Sequence, residues 1–426
     1  MKHSHNFCQS QLFNFESLGF NIKDDPLVKI TDQMDWPFLC KKIETLYSNK
    51  GRNSNSIRLM LGLEMAKTYY GVSDQEIVRM LKTNISPMYF CGYTSPISTK
   101  EIPSSSSMTN FRSKLTQEIL DQMMESITKK IIVKLPPRKR TSVNSDTTVT
   151  PQKIKYPTDA DLLHTASKKL VDLIQQKVIK VVIKGKHKIN KLMRNYGLLR
   201  KKSKELIEGT KETLIKYVES LNEIISNSKK RLNAKQEEVL AIANTILSQQ
   251  KELLDGKTIQ GRIVSFHENK IRPIFRGKAG HQTEFGVKVS LMTIGQYIVI
   301  PNKIEYENYS DTEIPQEDIQ RYERITGRKI KEYSFDRGGH SPQNHKLMED
   351  NSILDGIQYR GKLPNGTKPI NKTTGNRLYR QRSAIEGKIG TLKSRWGCKE
   401  INYKSSNAKI RINMACLMHN LKWYIG

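Results

Sequence analysis

Acidic residues are in short supply in this 426-residue chain: 42 Asp and Glu stand against 72 Lys and Arg, so the formal charge is 72 − 42 = +30. An excess of that size calls for a polyanionic partner. Cysteine is scarce too. Cys8, Cys40, Cys91, Cys398 and Cys416 are odd in number and scattered, which excludes a disulfide framework or a zinc-ligand spacing and fits a reducing cytosol. No apolar run reaches the length of a bilayer span, so no membrane helix is expected. Neither a basic amphipathic anchor nor a lipidation motif supports an acidic membrane surface as the partner. Residues 1–6 are polar and lead into no apolar stretch, so no secretory signal is expected. Hydrophobic residues make up 36% of the chain, enough for real cores and too many for wholesale disorder.

The organisation follows from composition shifts. Residues 1–34 are expected to be a mobile arm and 35–134 a helical N-terminal domain that binds DNA. Within it, Ser73-Asp74-Gln75-Glu76 has the pattern of a capping box. Residues 57–65 and 77–81, separated by Gly71, suit either a helix-turn-helix or an ordinary helical bundle. Pro103 and Ser104–Ser107 read as a polar loop. Pro136-Pro137, followed by Arg-Lys-Arg, cannot continue a helix and marks a domain boundary. Residues 141–150 are rich in β-branched side chains and read as a strand. Residues 166–256 read as a basic helical insertion. From Ala166 to Lys204 there are thirteen Lys and Arg against one acid, Asp172, a pattern suited to nucleic acid rather than to a merely solvated face. Strands are expected at 262–266, 285–291, 297–300, 330–335 and 355–359. Helices are expected at 315–324, 376–396 and 407–424, the last with Arg411 and Lys422 outward. Arg272, Arg276 and Lys278 beside Gly277 and Gly280 suit a phosphate-binding loop. Strands alternating with helices argue for an α/β domain, over 141–165 and 257–426.

Three carboxylates hold the candidate chemistry. Asp146 lies mid-strand, where a carboxylate needs a partner or a task. Asp336 follows a strand and precedes Arg337-Gly338-Gly339. Glu386 lies on a late helix where, at about 100° per residue, Tyr379, Arg382, Glu386 and Lys393 share one face within about 60°. Arg382 and Glu386, four apart, also make an ordinary surface ion pair. Acids from two strands and a helix can converge, and in a basic protein three of them suggest a divalent cation site. Mg²⁺ suits hard carboxylate oxygens and a phosphate substrate, and two such ions can serve the attacking and leaving oxygens. His267, Glu268 and His340 lack metal-ligand spacing and read as structural or DNA-facing. Trp396 falls on the apolar stripe of its helix and reads as core.

Tyr379, Arg382, Glu386 and Lys393 have the spacing Y-(2)-R-(3)-E-(6)-K, and in this the chain resembles bacterial insertion-sequence DDE transposases. Ser145-Asp146-Thr147 resembles the family's first-Asp strand, and Asp336-Arg337-Gly338 its second-Asp motif. Arg58–Gly62, Val72-Ser73-Asp74 and Tyr89–Gly92 resemble the N-terminal domain of the subgroup related to the fifth-numbered insertion sequence. The resemblance implies a ribonuclease H-like mixed-sheet core, here interrupted by the helical insertion. It implies Asp146, Asp336 and Glu386 as catalytic and metal-holding residues, with Mg²⁺ (or Mn²⁺) as cofactor. Arg382 and Lys393 would contact phosphates, with Tyr379 beside them. The implied activity is cleavage at transposon terminal inverted repeats and joining of the 3′-hydroxyl ends to target DNA. Implied partners are double-stranded DNA and a second copy of the chain, in bacterial cytoplasm at the nucleoid, with no membrane. An inactive DNA-binding remnant and a nuclease on the same fold are the alternatives. Two departures stand out: Gly339 replaces the family's usual aromatic, and the first two acids are 336 − 146 = 190 residues apart.

Overall fold

Side-chain caps start most of the helices in the computed structural model of the chain. It describes residue 19 and residues 21–48, 54–177, 183–228, 231–278, 281–361, 371–402 and 407–426, with backbone alone at 177, 276–278 and 281–282. Most of the expected arm lies outside these residues. Its last segment is a helix, α1 (Pro26–Gln33), capped by Asp25 and held by buried Leu27, Val28 and Ile30.

Seven more helices follow: α2 (Trp36–Glu44), α3 (Ile57–Tyr70), α4 (Asp74–Thr83), α5 (Ile85–Phe90), α6 (Ser105–Arg112), α7 (Gln117–Ile131) and the single turn α8 (Pro137–Arg140). Gly71 closes α3 at φ +69°, a conformation that glycine adopts without steric cost. Ser73 caps α4 by accepting the Glu76 amide at 3.1 Å. The expected box forms only by half, because the Glu76 carboxylate pairs with Arg79 at 2.6 Å. Ser105–Ser107 are helical, not loop: Ser104 accepts the Ser107 amide and starts α6. Serine's strength as a cap outweighs its preference for loops.

The strand expected at 141–150 is β1 (Ser142–Pro151). The chain divides into two compact units, and the second runs from Gln152 to Val287 with Tyr306–Asn308. It contains α9 (Asp159–Lys177), α10 (Lys186–Leu198), α11 (Lys204–Asn227), α12 (Ala234–Leu254), β2 (Arg272–Lys278) and the start of β3 (His281–Ile294). The insertion is therefore wider than 166–256. Ala160, Leu162 and Leu163 before it, and Ile263 and Phe266 after it, join the same core as Leu170, Leu214 and Ile246. Residues 262–266 form no strand. Instead the Ile263 amide donates to Gln249 of α12 at 2.9 Å, and Arg262 pairs with Asp159. The expected phosphate loop is largely β2, antiparallel to β3. The side chains of Arg276 and Lys278, and Gly280, lie outside the described residues.

The first unit holds everything else. It adds β4 (Ile298–Glu305), α13 (Ile314–Thr326), β5 (Glu332–Phe335), α14 (Pro342–Asp350), β6 (Leu354–Ile357), α15 (Lys372–Arg395) and α16 (Ala408–Ile425). Its strands run in the order β4–β3–β1–β5–β6. β3 and β4 are antiparallel, whereas β1, β5 and β6 are mutually parallel. The expected mixed α/β class is what this unit shows. Pro136-Pro137 is not a boundary between compact units, because α16 packs against α3 and α7 as well as β4. Nearly all of α16 is buried, including Arg411, which was expected outward and donates to Thr68 Oγ1 at 3.0 Å. Among the described residues, no helix is long and apolar enough to cross a membrane.

Candidate active site

The parallel pairing of β1 with β5 brings two of the three acids to neighbouring strands. β1 and β5 pair Ser142 with Glu332, Val143 with Tyr333 and Asn144 with Ser334. Asp146 and Asp336 each lie two residues beyond the last of these pairs, and the Asp336 charge acts on Asp146. Asp336 follows β5 and caps a 3₁₀ turn, Arg337–Gly339, by accepting the Gly338 amide at 2.8 Å. The Thr147 amide donates to Asp146 Oδ1 at 2.8 Å.

The third acid is set by how α15 lies along β1. Near one end of β1, Ser142 and Gln381 are hydrogen-bonded at 3.4 Å; toward the other, Lys393 donates to the Val149 carbonyl at 2.9 Å. Glu386 falls between those two anchors, opposite the middle of β1. The Tyr379–Lys393 face has split roles. Tyr379 and Glu386 are exposed, whereas Arg382 is nearly buried, 3.3 Å from Glu386 and 5.4 Å from the Tyr379 ring centre. Lys393 is used on the backbone of β1. Trp396 is buried, as its stripe position implied.

The electrostatics tie these residues together. Burial, then the Asp336 charge and more weakly Glu386, push the Asp146 carboxyl up to about 6, against pulls from the Thr147 amide and Arg382. Carboxylates that raise one another's proton affinity form a local negative excess, which a divalent cation would relieve. Arg382 adds a buried Nε with no hydrogen-bond partner among the described residues, a donor suited to a phosphate oxygen. Asp146, Asp336 and Glu386 are hard oxygen donors of the kind Mg²⁺ takes. Among the described residues, no three His, Cys, Asp or Glu side chains are gathered tightly enough to hold an ion. Glu386 is turned toward Arg382 instead of the aspartates.

Sequence reasoning missed four groups. Asp311 accepts from Thr147 Oγ1 at 3.2 Å and pairs with Lys288 at 2.9 Å. A Cβ on Gly338 would lie 2.8 Å from both Asp311 and Asp336, so that glycine lets two carboxylates approach. The only sequence signal at Asp311 is the capping box Ser310–Glu313. Behind the site, Asp318 is fully buried and accepts from Ser145, from Tyr333 at 2.7 Å and from Asn302 at 2.7 Å. His345 and Asp355 join His340 in a hydrogen-bonded row just beyond Asp336.

Known proteins bear on this geometry. Residues 16–114 match the family described as a transposase domain, and residues 253–421 match the transposase DDE domain. The second span includes Asp336 and Glu386, whereas Asp146 and most of the helical insertion fall outside both. The chain is 30% identical over 148 residues to "Uncharacterized protein ORF8 in nfe locus" of Rhizobium meliloti, covering 34% of this chain and 70% of that protein. No solved structure matches it. Two aspartates on neighbouring strands and a glutamate on the adjoining helix thus sit in a chain whose two family matches support a DDE-type insertion-sequence transposase.

Proposed function

We propose that this transposase cuts DNA at the terminal inverted repeats of its element and joins the freed 3′-hydroxyl ends to target DNA. The observation that carries the reading is that Asp146 and Asp336 lie on neighbouring parallel strands and act on each other electrostatically, with Glu386 on α15, the helix that lies along β1. These three residues would hold the cation. Mg²⁺, when bound, supplies positive charge to the attacking and leaving oxygens of phosphoryl transfer. Arg382 would bind a phosphate oxygen through its unpartnered Nε, and Tyr379 would flank it. Lys393 serves first to hold α15 on β1. The sheet, with antiparallel strands on one side of β1 and parallel strands on the other, supports a ribonuclease H-like core. The Y-R-E-K spacing supports the subgroup related to the fifth-numbered insertion sequence. The net charge of +30 supports duplex DNA as partner. Two DNA ends must be held together, which supports a homodimer on DNA, in bacterial cytoplasm at the nucleoid.

The test is a labelled duplex carrying the element's terminal repeats, incubated with the protein and Mg²⁺, Mn²⁺ or EDTA. Metal-dependent nicking at the repeat boundary is expected. Asp146→Asn, Asp336→Asn and Glu386→Gln should each abolish it while leaving DNA binding intact. Nicking retained by one variant removes that residue from the site. Tight binding with no nicking under any metal makes the chain a DNA-binding remnant.

A further inference from the structure

The second unit leaves aromatic rings in solvent around a cavity that the three acids do not use. Tyr156 is 77% exposed and Phe275 64%, the two most exposed aromatic rings among the described residues. A cavity of about 310 Å³ lies against Tyr156, Arg262, Pro273, Thr283 and Phe285, all within that unit. Strand pairing fixes one wall. β2 and β3 are antiparallel, with Pro273 opposite Phe285 and Phe275 opposite Thr283. Residues directly opposite, or two apart on one strand, share a face of the sheet. Pro273, Phe275, Thr283 and Phe285 therefore stand on one face of the hairpin, while Ile274 is buried on the other. The chain just after β1 brings Tyr156 against this wall, its ring centre 6.0 Å from that of Phe285 and the two planes 86° apart.

Shape and charge select the ligand. Two rings at a right angle form a corner, and a planar group stacked on one turns its edge to the other. The volume stands at the low end of small-molecule sites, about 300–1,000 Å³, which is room for one heterocycle and not for a duplex. The rim is basic. Lys153 and Lys155 precede Tyr156 and are exposed. Arg262 lines the cavity and has a buried Nε with no hydrogen-bond partner among the described residues. The acids that pair with these cations are fewer: Asp159 takes Arg262 and, at 3.1 Å, Lys211, while Asp161 takes Lys155 at 3.0 Å. An aromatic corner with a cationic rim suits a planar group carried on a phosphate chain.

We propose that this cavity takes an unpaired base of the DNA, stacked in the corner of Tyr156 and Phe285, with Phe275 extending the platform. Lys153, Lys155 and Arg262 hold the adjoining phosphates. The inference rests on the transposase reading above only in taking DNA as the partner, and it makes no use of the three acids. A base inside a duplex is stacked on both faces and cannot enter. The ligand therefore comes from a single-stranded end or from a base turned out of the helix, the latter at a cost in unstacking that a mismatch lowers. Every base has a ring face, so stacking of this kind tolerates any sequence. The site distinguishes unpaired from paired DNA and leaves sequence to other contacts.

Fluorescence anisotropy of the full chain in EDTA, where no strand is cut, tests this with three labelled DNAs: a blunt duplex carrying the terminal repeat, the same duplex with a single-stranded overhang, and the same duplex with an internal mismatch. An unpaired base should tighten binding by roughly fivefold to a hundredfold. Tyr156→Ala should remove that gain and Phe275→Ala reduce it. Tyr156→Phe should keep it, whereas Tyr156→Leu, apolar but without a ring, should lose it. Both rings are exposed, so blunt-duplex affinity and thermal unfolding should match the wild type. A 5-iodouracil at the unpaired position should crosslink under ultraviolet light to Tyr156 or Phe275. A gain with the overhang alone identifies a strand end as the source, and with the mismatch alone a base turned out of the helix. Equal affinity for all three DNAs, or a gain that survives both alanine variants, overturns the site and leaves the transposase reading standing. A shift in sedimentation of Tyr156→Ala with the gain intact makes this face an interface between copies instead. No binding to any of the DNAs overturns the transposase reading and this site with it.

Discussion

Two adjacent glycines show how local packing limits the site. Gly338 lies between Asp311 and Asp336, and a Cβ on Gly339 would come within 2.1 Å of the Phe335 ring. Phe335, the last residue of β5 and fully buried, fills the space beneath the turn. That accounts for Gly339 where the family usually has an aromatic: the ring comes from the strand instead. Gly339→Ala should therefore cost about 1–3 kcal/mol in denaturant unfolding, the usual range for overpacking. Adding Phe335→Leu should make the pair cost less than the sum of the two; simple additivity would mean the contact is not the cause. The placement of Asp146 on a strand, Asp336 just past a strand and Glu386 on a helix was legible in sequence, because local pattern fixes the element. Asp311, Asp318 and the His340–His345–Asp355 row were not. Each depends on which strands and turns become neighbours, and no local pattern encodes that.

Helix α10 breaks several rules that stabilise isolated helices. Lys186, His187 and Lys188 crowd its first turn, opposing the macrodipole. Lys188, Lys191 and Arg194 follow at spacings of three, where like charges repel. All are exposed, while Ile189 and Met193 bury the opposite side. A helix built against its own electrostatics gains from a polyanion that neutralises it. Changing Lys188, Lys191 and Arg194 together to Ala should weaken duplex binding and lower the slope of log affinity against log salt by about 2–3, near 0.9 per lost phosphate contact. An unchanged slope would leave this face outside the DNA interface. The helical character and charge of the insertion were readable from periodicity and composition. Its limits were not: Ala160 and Phe266 belong to its core through packing across the unit, while 262–266 has the β-branched look of a strand without a strand partner. The Ser104–Ser107 helix was missed for a related reason, since one serine cap decides between loop and helix.

At the scale of the whole molecule, two buried groups with opposite responses to pH sit in the first unit. Asp318 is pushed up to about 6 by burial, against the pull of its hydrogen bonds from Ser145, Tyr333 and Asn302. Between its ordinary value and about 6, the folded state holds a proton that the unfolded state has lost. Stability from this group is thus full at low pH and falls as pH rises through about 6, by about 3 kcal/mol. His419 on α16 is held down to about 4, first by burial and also by Lys388, against a pull from Asn420. Here the unfolded state binds the proton first, so stability is full above the ordinary histidine range and falls by about 3 kcal/mol as pH drops through about 4. The two slopes oppose each other between about pH 4 and 6. Comparing each variant with the wild type at every pH cancels the remaining groups. Relative to wild type, Asp318→Asn should lose ground as pH falls from 6 to 4, since it lacks the gain that Asp318 provides there. His419→Gln should gain ground over the same interval. Chemical unfolding at half-unit steps of pH would read both. Parallel stability curves for wild type and Asp318→Asn would mean that the carboxyl under Ser145 titrates normally. The buried Ser145–Asp318–Tyr333 junction, which ties β1 to β5 beside Asp146, would then owe its strength to hydrogen bonds alone.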